Sequence, residues 1–513
     1  MKNYILICLF FIAIQPVLLA QKTPPNVIVI LVDDMGYSDI GIFGSEIKTP
    51  NIDLLGKKGA IFTQFYNAGR CCPSRASLLT GMYPHQAGMG GMVITSDYDR
   101  NKTGSYQGFL NVNTPTIAEE LKKNGYNTYM TGKWHVGEKK PDWPNQRGFD
   151  HFYGLISGAN SYYELLPKRQ LIEDNEPFAP KGNYYFTDAI SDKSVSYLQK
   201  NKSTGKPFFL YVAYTAPHWP IHAPQELIDS YKSKYTQGWE ALRKQRFDKQ
   251  NKIKLNPNID HLPGSDPTLV DFGNEADKRM WIEKMATYAA MVDKMDQGIG
   301  KIIQELKTNG TFDNTVIFFL SDNGACHEIL DERSSKDLGQ DKYNASLTTK
   351  IGAPGSYTTY GKEWAYASNT PFRMYKHWMH EGGISTPLII SYPTGIKKSF
   401  QSDQVGHIMD IFPTIMDLTK TKTTKAVEGK SLVPIFKQSK RESQPYIAWE
   451  HFGNRAIREG DWKLVWDDEV KEWELYNVRL DRIETNNLIK KNPEKFQHLL
   501  AKYSEWAVKM QVK

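Results

Sequence analysis

The sequence predicts an α/β protein: a large, mostly parallel sheet with helices on both faces, followed by a small antiparallel sheet with one helix. Two observations predict the main layer. Short apolar runs of strand length, rich in β-branched and aromatic residues, recur along the chain. Stretches with helical periodicity separate them, as expected for strands buried on both faces. A third observation predicts the smaller sheet: after about Arg441 the chain becomes a series of short strands joined by turns.

The main-sheet strands are expected at Asn26–Val32, Thr128–Met130, Phe208–Tyr214, Thr315–Leu320 and Pro387–Ser391. Helices are expected over Ser74–Thr80, Thr116–Asn124, Asp192–Asn201, about Ala276–Leu306 and Ile408–Leu418, with Asn309-Gly310 closing the long one. Two polar stretches, Gln237–Asp271 and His327–Asn369, carry no steady periodicity and are expected to be irregular walls of a cleft. Near the C-terminus, strands are expected at Tyr446–Glu450, Arg455–Arg458, Trp462–Trp466 and Trp473–Asn477, then a helix over Pro493–Met510. The implied division is a signal segment over residues 1–20, a main α/β domain over 21–440 and a small α+β subdomain over 441–513.

The signal segment follows from Lys2, an apolar run from Tyr4 to Leu19 broken only by Gln15 and Pro16, and then Ala20 before polar Gln21–Thr23. That run is short and poorly flanked for a membrane span, so it reads as a cleavable export signal, with a retained anchor helix as the alternative. Cys8 lies inside the run rather than after it, which argues against a lipoprotein cleavage site. The mature protein is therefore expected to be soluble, without a stable membrane span, and periplasmic or secreted. Only Cys71, Cys72 and Cys326 lie beyond the signal, so no disulfide framework is expected; Cys72 and Cys326 could pair or stay free. A net charge of +7 over 513 residues is no nucleic-acid signature; it could favour an anionic substrate, but an ordinary solvated surface is the simpler reading.

The first strand ends in Asp33-Asp34 and a later one in Asp322-Asn323-Gly324. In an open α/β sheet, ligands gather beyond the carboxyl ends of strands, so these oxygen donors would converge if the two strands are neighbours. Oxygen donors suit a hard divalent cation. Successive strand residues face opposite ways, so Asp33 and Asp34 share an ion only where the strand breaks into its loop. Alone, Asp-Asn-Gly is more simply a turn.

The most specific segment is Cys71-Cys72-Pro73-Ser74-Arg75-Ala76-Ser77-Leu78-Leu79-Thr80-Gly81. It resembles the signature of the type I sulfatase family: Cys-x-Pro-Ser-Arg, then Leu-Thr-Gly after three residues. Only Cys71 stands in register, because Pro73 directly follows Cys72. The resemblance, closest to bacterial arylsulfatases, implies an alkaline phosphatase-like fold and hydrolysis of sulfate esters of aryl or carbohydrate compounds. It implies that a formylglycine-generating, sulfatase-maturating enzyme oxidises Cys71 to 3-oxoalanine (formylglycine), hydrated at rest. One hydroxyl of that hydrate attacks sulfur and expels the alcohol. The other, deprotonated, collapses to the aldehyde and ejects sulfate, an exit that a serine or thiol nucleophile lacks. Pro73 and Ser74 are expected to open the following helix, which places Cys71 at its positive end.

The resemblance extends to the other positions. Asp33, Asp34, Asp322, Asn323 and modified Cys71 match the family's metal ligands, for Ca2+ rather than Mg2+. Thr131-Gly132-Lys133-Trp134-His135 looks like the family's Gly-Lys-Trp-His segment. It implies that Lys133 binds a sulfate oxygen and that His135 orients the hydrate and takes its proton. His218, closing Tyr214-Thr215-Ala216-Pro217-His218, and Lys376, ahead of Glu381-Gly382-Gly383, match groups that serve sulfate and the leaving oxygen. Arg75 would hold the hydrate and offset its charge. His85, Cys326, His327, Trp364 and Arg373 neighbour these motifs, and a structural role is the simpler expectation for each. Two other functions stay open: a phosphonate or phosphate ester hydrolase of the same superfamily, and an inactive carbohydrate-binding homologue. Turnover of phosphate esters would favour the first, and sulfate release unaffected by loss of Cys71 the second.

Overall fold

A computed structural model describes residues 23–96, 98–101, 103–330 and 338–513. The export-signal reading at residues 1–20 lies outside them. Eleven strands form the main sheet. They are β1 (Asn26–Val32), β2 (Ala60–Tyr66), β3 (Asn127–Gly132), β4 (His151–Leu155), β5 (Leu171–Glu173), β6 (Glu176–Pro177), β7 (Phe208–Ala213), β8 (Thr315–Ser321), β9 (Ser385–Ser391), β10 (Phe400–Ser402) and β11 (Gly406–His407). Their order is β10-β2-β9-β8-β1-β7-β3-β4-β5-β6, with β11 also on β2. The centre, β8-β1-β7-β3-β4, is parallel; β9 runs antiparallel to both neighbours.

Period-two alternation divides the core in two. Ile28, Ile30 and Val32 of β1 face one hydrophobic layer, while Val27, Val29 and Leu31 face the other. The helices Phe186–Lys202 and Glu275–Thr308 cover the first layer, and Cys71–Thr80, Ile117–Lys123 and Ile411–Thr419 the second. The C-terminal sheet, β12 (Ile447–His451), β13 (Asn454–Glu459), β14 (Trp462–Asp467) and β15 (Glu472–Asn477), is antiparallel throughout. Ala448, Ile457, Leu464 and Leu475 on one face pack against Leu499, Tyr503 and Trp506 of the helix Pro493–Met510. Ile447, Trp449, Ala456 and Val465 on the other meet Tyr66, Met379 and Ile384 of the main unit. Among the described residues, no helix is long and apolar enough to cross a membrane.

Three expectations are corrected. The stretch Gln237–Asp271 is not irregular throughout, because Gly238–Lys252 is a helix. Its buried face carries Arg243, Arg246 and Gln250 beside Trp239, Leu242 and Phe247, so polar residues hold the helical period and an apolar pattern cannot reveal it. Arg246 pairs with buried Asp39 at 2.6 Å, and Arg243 donates to the carbonyls of Tyr366, Pro371 and Phe372. Helices Gln340–Thr348 and Gly361–Ser368 likewise interrupt His327–Asn369. The helix expected from Ser74 starts at Cys71. Pro73 lies in its first turn, where a missing N–H costs no internal hydrogen bond. Cys71, Cys72 and Cys326 are free thiols, so Cys72 and Cys326 do not pair.

Candidate active site

Strands β1 and β8 run side by side, with Val32 opposite Ser321, so Asp33 and Asp322 leave the sheet at neighbouring points. Beyond Val32 the chain turns sharply, and Asp34 takes a left-handed conformation with φ of 65°. The break brings both carboxylates to one place: Asp33, Asp34 and His218 offer ligand atoms within 4.8 Å of one another. The Asp34 amide donates to Asp322 Oδ1 at 3.3 Å, and Asn323 Nδ2 donates to Asp34 Oδ1 at 2.7 Å.

Basic side chains enclose the two carboxylates, each delivered from a strand end, a helix or a packed loop. Lys133, just past β3, places Nζ 2.6 Å from Asp33 Oδ2. His218, after β7, has Nε2 3.4 Å from Asp34 Oδ2. Lys376 Nζ lies 2.8 Å from Asp34 Oδ1. Arg75, in the helix opened by Cys71, sets Nη2 2.8 Å from Asp322 Oδ2 and 3.7 Å from Asp33 Oδ2, while Nη1 donates to the Lys133 carbonyl. Cys71, Cys72 and His135 form an adjoining buried group, their ligand atoms within 4.8 Å of one another. The structure thus brings together Asp33, Asp34, Cys71, Arg75, Lys133, His135, His218, Asp322, Asn323 and Lys376.

Residues 25–421 match the sulfatase family, and residues 372–512 match the C-terminal family of N-sulphoglucosamine sulphohydrolase. The chain belongs to the sulfatase family. It is therefore a hydrolase acting on sulfate esters. It is 35% identical to an uncharacterized sulfatase of Schizosaccharomyces pombe, over 94% of this chain and 93% of that one. An arylsulfatase of Klebsiella aerogenes is 34% identical over 81% of this chain and 91% of its own. Among solved structures, Ps i-CgsB in complex with k-i-k-neocarrahexaose superposes with a TM-score of 0.70 at 27% identity, covering 94% of this chain and 93% of that one.

The electrostatics of this sulfatase follow from dense charge out of water. Burial raises the pKa of Asp33, but Lys133, then His218 and Arg75, outweigh it and hold the carboxyl down at about 2. Asp322 goes the opposite way, pushed well above the ordinary range by burial and by the charge of Asp33. Two carboxylates that cannot both ionise comfortably make a seat for a cation. The orphaned oxygens agree: Asp33 Oδ1 and Asn323 Oδ1 are buried without a hydrogen-bond partner among the described residues. The oxygen-bearing side chains of Asp33, Asp34, Asp322 and Asn323 converge there, with the His218 nitrogen beside them, a donor set that fits a hard divalent ion. A hydrogen bond from Cys72, followed by Lys133 and His135, holds the Cys71 thiol well below the usual range against the effect of burial. Burial, with Lys133 close by, lowers His135 to about 4, so its ring is neutral at pH 7.

Of the residues beside the motifs, Trp364 is a core residue donating to the Trp281 carbonyl, and His85 joins Glu450 and Tyr106 under the C-terminal sheet. His327 packs on Tyr375 and Trp378, and Arg373 ties to Glu484 and Glu474. Cys326 is closer to the chemistry, its Sγ 3.9 Å from Lys376 Nζ. Sequence reasoning passed over Arg70, Trp219 and Glu328, which form the rim of the site. Adjacency to Cys71 and His218 was the only signal available for the first two, and for Glu328 only its place beside His327 in the stretch expected to wall a cleft.

Proposed function

We propose that this sulfatase cleaves sulfate esters of carbohydrates, with residue 71 as formylglycine and Ca2+ held by Asp33, Asp34, Asp322, Asn323 and the oxygen of modified residue 71. The observation that carries the reading is the convergence of Cys71 with these oxygen donors beyond the ends of β1 and β8, inside a ring of fixed cations. The charges of Cys71 and Asp33 act on each other, and Lys133 acts on both. The ion and the aldehyde hydrate supply, respectively, charge neutralisation at the sulfuryl oxygens and a nucleophilic hydroxyl that releases its product without water attack.

The chain's own residues do the rest. Lys133 and Lys376, both held by carboxylates, are placed to bind sulfate oxygens. Neutral His135, beside residue 71, is placed to accept a proton from the hydroxyl that modified residue 71 would carry. His218 and Lys376 meet at Asp34, where the leaving oxygen can receive a proton. Arg75, spanning Asp33 and Asp322, steadies the negative charge that develops at the helix start. Arg75, Lys133 and Lys376 balance Asp33, Asp34 and Asp322 in formal charge, so a divalent ion leaves a surplus suited to an anion that departs as sulfate.

The carbohydrate reading is supported by the oligosaccharide complex of the 27% identical Ps i-CgsB, and the arylsulfatase relative makes small aryl sulfates useful reporters. Export to the periplasm or beyond, from the apolar N-terminal run, belongs to the same proposal, as does a maturating enzyme as partner. The test has two arms. Mass spectrometry of the peptide bearing residue 71 should show an aldehyde, and Cys71→Ala should abolish hydrolysis of 4-nitrophenyl sulfate. Greater turnover of phosphate mono- or diesters than of sulfate would refute the assignment, as would undiminished activity of Cys71→Ala.

A further inference from the structure

The site has a floor and a mouth. Lys376 and Asp34 are each 1% exposed in their side chains and His218 7%, whereas Arg70 is 18% and Glu328 24% exposed. Moving outward from Lys376, the next charged group met is Glu328, whose Oε2 lies 3.8 Å from Lys376 Nζ. Glu328 is fixed from both sides. Its Oε1 accepts from Arg70 Nη2 at 2.7 Å; its Oε2 accepts from Trp219 Nε1 at 2.8 Å and from Cys326 Sγ at 3.4 Å. Burial would raise its pKa, but Lys376, Arg70, the Trp219 hydrogen bond and His218 outweigh it and keep the group ionised.

Two aromatic residues complete the rim. Trp219 is half-buried, joined to Glu328 through its N–H and touching Tyr357 edge-on with centroids 6.1 Å apart. Phe452, in the turn between β12 and β13, is 53% exposed and lies 6.0 Å from the Arg70 guanidinium. Its φ of 48° is uncommon for a bulky side chain, so the surrounding turn holds this ring outward against local preference.

From this arrangement we infer that Glu328, set between Arg70 and Trp219, determines specificity in a leaving-group subsite that takes a neutral, hydroxyl-rich sugar ring. The inference rests on the sulfatase site proposed above. A pyranose has an apolar C–H face and a rim of hydroxyl donors. The rim of this site offers the complement: indole and phenyl surface beside an anchored acceptor-only group. A carboxylate has about four lone-pair positions, and three are taken, which leaves one for a substrate hydroxyl. A sugar with a further sulfate or carboxylate next to the scissile ester would face a fixed negative charge.

The test uses protein whose residue 71 is shown by mass spectrometry to be converted. Wild type, Glu328→Gln and Phe452→Ala are compared on 4-nitrophenyl sulfate and on galactose bearing one sulfate at O2, O3, O4 or O6, and then on the corresponding disulfates. Wild type should hydrolyse at least one monosulfate and prefer it to the disulfates. Glu328→Gln should lower kcat/KM for that sugar by about ten-fold, the loss expected for one hydrogen bond to a charged acceptor, and narrow the preference. Its loss on the aryl ester should be under about three-fold. Phe452→Ala, a surface change that keeps the fold, should reduce only the sugar reaction. Parallel losses on sugar and aryl esters, an unchanged sugar rate, or a wild type that cleaves nitrophenyl sulfate but none of the sugars would overturn the subsite. A converted wild type that cleaves nothing would instead sink the catalytic assignment beneath it.

Discussion

Replacing Gly324 by alanine tests whether the geometry of the loops that carry the oxygen donors, rather than the mere presence of their side chains, sets the activity. Gly324 follows Asn323 at the end of β8, and its amide donates to the Gly383 carbonyl at 3.0 Å, joining the oxygen-donor loop to the loop after Lys376. A Cβ at position 324 would stand 1.8 Å from the Gly382 carbonyl oxygen, while real Cβ atoms essentially never come within 3.0 Å of another heavy atom. Both partners are backbone, so the two loops must separate by more than about 1 Å. Metal ligation tolerates about 0.2 Å, and a displacement near 1 Å in a reacting group costs about 100-fold in rate. We expect kcat/KM on 4-nitrophenyl sulfate to fall about 100-fold, equivalent to about 3 kcal/mol of transition-state stabilisation, with more added Ca2+ needed for half-maximal activity. Gly264→Ala, at a position with nothing within 4 Å, is the control and should be silent. A Gly324→Ala enzyme equally converted at residue 71 and within about three-fold of wild type would refute the reasoning.

Three other outcomes follow from buried charge and the oxygen-donor cluster. Lys463 is fully buried between Glu381 at 3.0 Å and Glu484 at 2.8 Å, so Lys463→Met should cost about 3–5 kcal/mol in denaturant unfolding, by stranding two carboxylates. A change under about 1 kcal/mol would mean that Arg482, also on Glu381, suffices. The His222 Nε2 donates to the Ser356 carbonyl and its Nδ1 accepts from the Tyr162 amide, which fixes a neutral ring, and burial lowers its pKa to about 4. The unfolded chain therefore binds a proton that the folded one refuses: the stability is full above pH 6.5 and is lost as pH falls toward 4, by about 3 kcal/mol. Unfolding free energies of wild type and His222→Asn across that window should converge at low pH; parallel curves would show that the ring does not matter. Exhaustive chelation should abolish ester hydrolysis and lower the unfolding midpoint, with Ca2+ restoring both better than Mg2+, whose strict octahedral demand is harder to meet with carboxylates already tied to other partners. Full activity in the chelated enzyme would exclude the oxygen-donor cluster as an ion site.

How far the site can be read in one dimension depends on where each residue stands relative to its strand. Asp33, Lys133, His218 and Asp322 lie within a few residues of the ends of β1, β3, β7 and β8, so strand-like runs followed by polar residues expose them. The parallel pairing that unites them is implied by the alternation of apolar runs and helices. The strand β2 was not recognised: its half-buried Ile61 and the interrupting Gln64 give a weaker pattern than the fully buried runs of β1 and β8. The helix Gly238–Lys252 was hidden because its buried face is built from arginines and glutamine satisfied by distant partners. The same reason conceals the rim. Arg70 and Glu328 are 258 residues apart, and nothing local to either says that they meet. Chemistry carried at strand ends leaves a local trace because the strand itself is local. Selectivity is assembled from loops that only the finished fold brings into contact, so the reaction class is readable from the sequence while the choice of substrate is not.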